Sequence, residues 1–142
     1  MPIGDPMGGA TPESDRGSHL RIDAVMVPVS DMEQALEFYT EVLNFEVVLD
    51  LKAMGRVELA APEGGARITL FIPEEGEEEP GIRTGIIIAT DSIFDFHKVL
   101  VDEGVEFILK PERDRFGRLI ARFLDFDGNE IEVVDVPSMA RQ

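Results

Sequence analysis

Apolar and variable residues alternate over residues 20–29, the period of a strand with one buried face. The period then lengthens. Met32, Ala35, Leu36, Tyr39 and Leu43 recur at helical spacing, which predicts one buried stripe on a helix ending at Asn44. Ahead of it, Ser30-Asp-Met-Glu33 has the order of a capping box, with the Ser30 hydroxyl accepting from the Glu33 amide while Glu33 reaches back. Alternation resumes over residues 45–51, 56–61 and 67–72, three strands parted by Met54-Gly55 and Pro62-Glu-Gly-Gly65.

The same order then repeats. Residues 84–90 read as a strand, 92–103 as a helix burying Ile93, Phe96, Leu100 and Val99, and 105–110, 118–124 and 130–136 as three strands. Asn44 and Gly104, sixty positions apart, each follow a helical pattern where a left-handed C-cap residue belongs. Asp127-Gly128-Asn129 is placed to turn the last hairpin. Each unit is therefore βαβββ, and the fold class is α+β: two modules, each a curved sheet with a helix on the convex side, forming one cup-shaped mixed sheet. The chain divides into a leader over 1–18 and a single domain over 19–142. Within it lie module one (20–72), an acidic linker (73–83) and module two (84–137).

Composition narrows what such a cup can hold. The leader is rich in Gly, Pro and small polar residues with no hydrophobic period and is expected to be disordered. Absence of cysteine excludes disulfides, zinc–thiolate sites and thiol nucleophiles. No apolar run approaches the ~20 residues of a membrane helix, and no basic-then-apolar signal opens the chain, so the expected location is the cytoplasm. The net charge of −16, with only three lysines, argues against nucleic-acid and anionic-membrane partners. It fits either a solubilising surface or a cationic small-molecule ligand drawn in by the field. The run Glu74-Glu-Gly-Glu-Glu-Glu79 reads as a solvated linker.

Two motifs carry a family likeness. Ile22-Asp…Val29-Ser-Asp with Ala35-Leu-Glu-Phe-Tyr39 and Leu43-Asn-Phe-Glu-Val47 resembles the first-module signature of the vicinal oxygen chelate superfamily, which includes glyoxalase I, extradiol dioxygenases and bleomycin-resistance proteins. Phe123-Leu-Asp-Phe-Asp-Gly-Asn-Glu-Ile-Glu132 resembles its second-module ending, with Phe126 in place of the usual proline. The resemblance implies a cup in which metal-dependent members bind a divalent ion through four equivalent strand positions, one in the first and one in the last strand of each module. On this chain those positions fall at Ala24, Thr69, Gly85 and Glu132. Only Glu132 is a ligand for a divalent ion, so no metal or other cofactor is expected. Neither histidine stands in: His19 is at the edge of the leader and His97 is on the second helix beside its stripe.

The strand alternation leaves Ala24, Met26, Thr69, Phe71, Ile87, Ala89 and Val134 lining the cup, a small apolar surface. Glu132 in such a lining has two readings. It is either salt-bridged to a neighbouring arginine, Arg122 or Arg56 being the nearest, or it anchors a ligand or acts as a general base. The turns at Met54-Gly55-Arg56 and Arg115-Phe-Gly-Arg118 are placed to form a rim. The candidate ligand-binding set is thus Ala24, Met26, Arg56, Thr69, Phe71, Gly85, Ile87, Arg122 and Glu132, with Glu132 the candidate catalytic residue. The preferred function is a metal-free, homodimeric small-molecule binder similar to bleomycin-resistance proteins. The alternative is a lyase, isomerase or dioxygenase acting on a small oxygenated substrate with Glu132 as metal ligand or base.

Overall fold

Among the described residues, 19–137, a computed structural model places the expected elements in the expected order, twice over. Module one runs β1 (Ala24–Pro28), α1 (Met32–Glu37, continued by a π-helical turn Phe38–Val42), β2 (Glu46–Leu51), β3 (Arg56–Ala60) and β4 (Arg67–Phe71). Module two runs β5 (Arg83–Thr90), α2 (Ile93–Asp102), β6 (Phe107–Arg113), β7 (Leu119–Leu124) and β8 (Glu130–Asp135). The sheets have matching orders, β1-β4-β3-β2 and β5-β8-β7-β6. In each, the first strand pairs in parallel with the last and the other pairings are antiparallel. β1 and β5 approach each other where the modules meet. The leader expected at 1–18 lies outside the described residues.

Alternation along the strands explains the core. Val27, Val57, Leu59, Ile68 and Leu70 from one sheet and Ala121, Phe123, Ile131 and Val133 from the other turn inward. They join Tyr39, Ile93 and Leu100 of the helices in one continuous cluster. Phe123 lies at its centre, with the rings of Phe38, Phe96 and Phe107 at centroid distances of 6.4, 5.8 and 5.6 Å. Because Phe38 belongs to α1 and Phe123 to β7, the first module's helix packs against the second module's sheet. Asn44 and Gly104 both take positive φ, 65° and 89°, ending the helices as their spacing implied.

Several local expectations are corrected. The first helix is capped by Asp31, whose Oδ1 accepts from the Gln34 amide at 3.1 Å, and not by Ser30. Ser30 is diverted because Asp127 of the other module accepts from both its amide and its hydroxyl. β1 begins at Ala24, four residues later than the alternation suggested, leaving Leu20 and Ile22 exposed. Val99 also faces solvent, because the stripe of α2 is centred nearer Ile93 and Leu100. His97 takes the flank instead, edge-on to Phe107 at 4.6 Å between ring centroids.

The modules are joined through the turn between β7 and β8. Buried Tyr39 donates its hydroxyl to Asp125 Oδ2 at 2.7 Å. Fully buried Asn129 donates through Nδ2 to the Pro28 carbonyl and to Asp125 Oδ2, each at 2.9 Å. Its Oδ1 accepts from the Gly81 and Ile82 amides at 2.8 and 3.0 Å. One side chain therefore ties β1, the end of the linker and the start of β8 together. Burial, with the negative charge of Asp125 beside it, raises the Tyr39 phenol well above its ordinary value of 10.0.

Two outcomes are expected from this network. Asn129→Ala removes the partner of two part-buried amides and one buried carbonyl and should cost roughly 2 kcal/mol or more; a loss under about 1 kcal/mol in urea denaturation would show that the modules hold together without it. Tyr39 is stabilised in its neutral form, so its contribution is complete below about pH 10 and is lost as pH rises toward the higher native value. Above about pH 10, wild-type stability should therefore fall more steeply than that of Tyr39→Phe, by up to about 1.4 kcal/mol per pH unit. Parallel slopes for the two proteins would refute this.

Candidate functional site

The cross-strand registers define the concave face. In module one Met26 pairs with Thr69, and Thr69 with Glu58. In module two Ile87 pairs with Glu132, and Glu132 with Arg122. These two rows occupy equivalent places in the two sheets. Met26 and Ile87 are 46% and 52% exposed, unusual for large apolar residues in strand centres, and mark open concave surface. Thr69 is fully buried within its row and its Oγ1 has no hydrogen-bond partner. Ala24 lies opposite Arg67, and Phe71 lies between Pro28 and Arg56 in register.

Glu132 accepts from Arg122 Nε at 3.0 Å, and Arg118 approaches its other oxygen at 3.6 Å. Its side chain is only 14% exposed. Of the two arginines named as partners from sequence, Arg122 takes the place and Arg56 does not. Arg56 is committed to Glu58, two residues away on the same face of β3, at 3.3 Å. Glu58 was not singled out by sequence. It is 12% exposed and is held by Arg56 and, at 3.1 Å, by Arg67, so each concave face carries a carboxylate clamped by two guanidinium groups. Its position in an alternating strand opposite Thr69 was the available signal.

Gly85 proves to be more than a missing side chain. Its φ is +79°, and the pairing of β5 with β8 shifts register between Arg83 and Ile87. Thr84 braces this bulge, donating its hydroxyl to the Glu130 carbonyl at 2.7 Å and accepting from the Ile86 amide at 3.0 Å. A side chain would find open space there but would force an L-residue into the left-handed region. A Thr-Gly pair inside an otherwise apolar strand is the sequence sign of such a bulge.

The four positions that the resemblance equates with metal ligands therefore present a methyl group, a hydroxyl, a glycine bulge and one ion-paired carboxylate. Among the described residues no three His, Asp or Glu side chains converge as a ligand set. This donor chemistry does not fit a divalent ion of that kind.

A cleft of about 360 Å³ opens at the end of the module-two sheet, on the side that faces α2: Arg113 pairs with Leu119, which packs on the core, and Asp135 accepts from the first amide of α2. The β6–β7 hairpin, through Arg113, Gly117 and Arg118, forms one wall; Leu119, Val134 and Pro137 are among its apolar lining. The hairpin is internally braced. Asp114 Oδ1 accepts from the Phe116 and Arg118 amides, each at 2.9 Å, and Oδ2 from Arg118 Nε at 2.9 Å. Desolvation acts to raise the Asp114 carboxyl, but these hydrogen bonds outweigh it and hold the pKa below its ordinary value. Arg115 stacks over the exposed ring of Phe116 at 4.3 Å. No helix among the described residues is long and apolar enough to cross a membrane.

Comparison with known proteins agrees with this architecture. A structure of a glyoxalase/bleomycin resistance protein/dioxygenase superfamily member from Sphaerobacter thermophilus is 32% identical, with a TM-score of 0.78 over 84% of this chain and 99% of that one. TnmS3, an antibiotic binding protein from Streptomyces sp. CB03234, is 27% identical, with a TM-score of 0.72 over 84% of this chain and 97% of that one. YetH of Bacillus subtilis is 29% identical over 115 residues, 77% of this chain and 92% of YetH. The sequence profile of the family matches residues 21–133. On that match and that fold, the chain belongs to the glyoxalase/bleomycin resistance protein/dioxygenase superfamily.

Proposed function

We propose that this protein is a small-molecule-binding member of its superfamily that takes its ligand on the concave face without a resident metal. One observation carries the reading. The positions that would chelate an ion are occupied by Ala24, Thr69, Gly85 and a Glu132 whose oxygens face Arg122 and Arg118. The same engagement argues against Glu132 as a general base, because a base needs an oxygen free to reach its proton. The similarity to TnmS3, an antibiotic binding protein, supports binding as the activity. Open apolar surface at Met26 and Ile87 supports it physically, since a surface of that kind is stabilised by a covering guest. In this reading the protein is a homodimer, whose second subunit adds a further wall to the cup.

The test is a thermal-shift screen of small aromatic acids, amides and amines in the presence of a chelator. A probe present at a hundred times its Kd adds roughly 2.7 kcal/mol of stability. Met26→Glu and Ile87→Glu should each change the stability of the free protein by about 1 kcal/mol or less, because both sites are half exposed, yet abolish the ligand-dependent rise. Light scattering on the same samples should read the mass of two chains. Binding that appears only after metal is added, or that survives both substitutions, would refute the reading; binding by a single chain would remove the dimer alone.

A further inference from the structure

We propose that the cleft under the β6–β7 hairpin is a second small-molecule site, which binds an anionic group, a carboxylate or comparable oxyanion carried on an apolar body. This is the opposite of what the net charge of −16 suggests. The overall field acts at long range and is screened over about 8 Å at physiological ionic strength, so adjacent side chains decide what is retained.

The local balance is unlike the rest of the molecule. Six of the eight described arginines, Arg21, Arg56, Arg67, Arg83, Arg118 and Arg122, lie within ion-pair distance of a carboxylate. The two exceptions, Arg113 and Arg115, are both on this hairpin, although acidic side chains outnumber basic ones more than two to one along the chain. Arg115 is stacked on Phe116. Arg113 lines the cleft, and its guanidinium makes one hydrogen bond, from Nη1 to the Gly117 carbonyl at 2.7 Å. Its remaining N–H groups have no protein acceptor among the described residues.

The acid of the hairpin turn and the acid of the cleft lining are both engaged. Asp114 is saturated by Arg118 and the Phe116 amide. Asp135, which also lines the cleft, accepts from the Ile93 amide at 2.9 Å at the start of α2, where the helix dipole offsets its charge. An oxyanion against Arg113 would gain charge-assisted, bidentate hydrogen bonds, and the apolar lining would cover a hydrocarbon or aromatic body.

The experiment follows amide NMR spectra while the full chain is titrated with naphthoate, neutral naphthamide and cationic naphthylmethylammonium. Naphthoate should bind about tenfold more tightly than the amide, with shifts concentrated at Gly117, Leu119 and Val136. Arg113→Gln should reduce naphthoate to the level of the amide. Arg113→Lys, which keeps the charge but not the fork, should fall between and serves as the test should the glutamine variant not fold. Equal or tighter binding of the amide or the ammonium would overturn the anion assignment and leave the binding function standing. Naphthoate shifts confined to Met26 and Ile87 would overturn the cleft and likewise leave binding standing. Failure of all three probes to bind would overturn the cleft site.

Discussion

The arrangement depends on keeping the polar atoms of Asn129 satisfied in a dry interior. An amide buried this deeply is tolerated only if its donors and acceptors are met, and here they are met by groups from three separate segments. Pro28 lies on β1, Gly81 and Ile82 end the linker, and Asp125 closes the β7–β8 turn. Three residues beyond Asn129 is Glu132, so the contact that joins the modules also sets where the central carboxylate stands. The Asp-x-Asp-Gly-Asn stretch is thus architectural in this chain: Asp125 receives Tyr39, Asp127 receives Ser30, and Gly128 turns at a φ of 83°.

Periodicity made the architecture legible. Alternation named cup-facing positions on β1, β4, β5 and β8, helical spacing assigned Ile93 and Leu100, and the left-handed positions of Asn44 and Gly104 follow from residue type. Contacts between the modules escaped such reasoning. Ser30 looks like a helix cap until Asp127, nearly a hundred residues away, is brought to it. Arg56 looks available to Glu132 until strand order gives it to Glu58. The Gly85 bulge and the cleft required coordinates for a related reason. Each depends on pairing register, which a side-chain period of two does not by itself specify.

Electrostatics on the concave face follow a common plan. A highly acidic chain holds most of its few arginines against carboxylates, and two sheltered ones, Glu58 and Glu132, are each clamped by two guanidinium groups. Such clamps satisfy charges that would otherwise be costly to shelter, and they leave little free basicity or coordinating capacity behind. What remains open there is apolar surface at Met26 and Ile87. A cup of this kind is suited to holding a molecule.

The most direct test is a crystal structure, with anomalous scattering data, of protein grown in the presence of zinc, iron, manganese or nickel. The expected result is the Arg122 guanidinium against Glu132 and no ion bound by the concave face. An ion held by Glu132, with other groups of this chain completing its coordination, would contradict it.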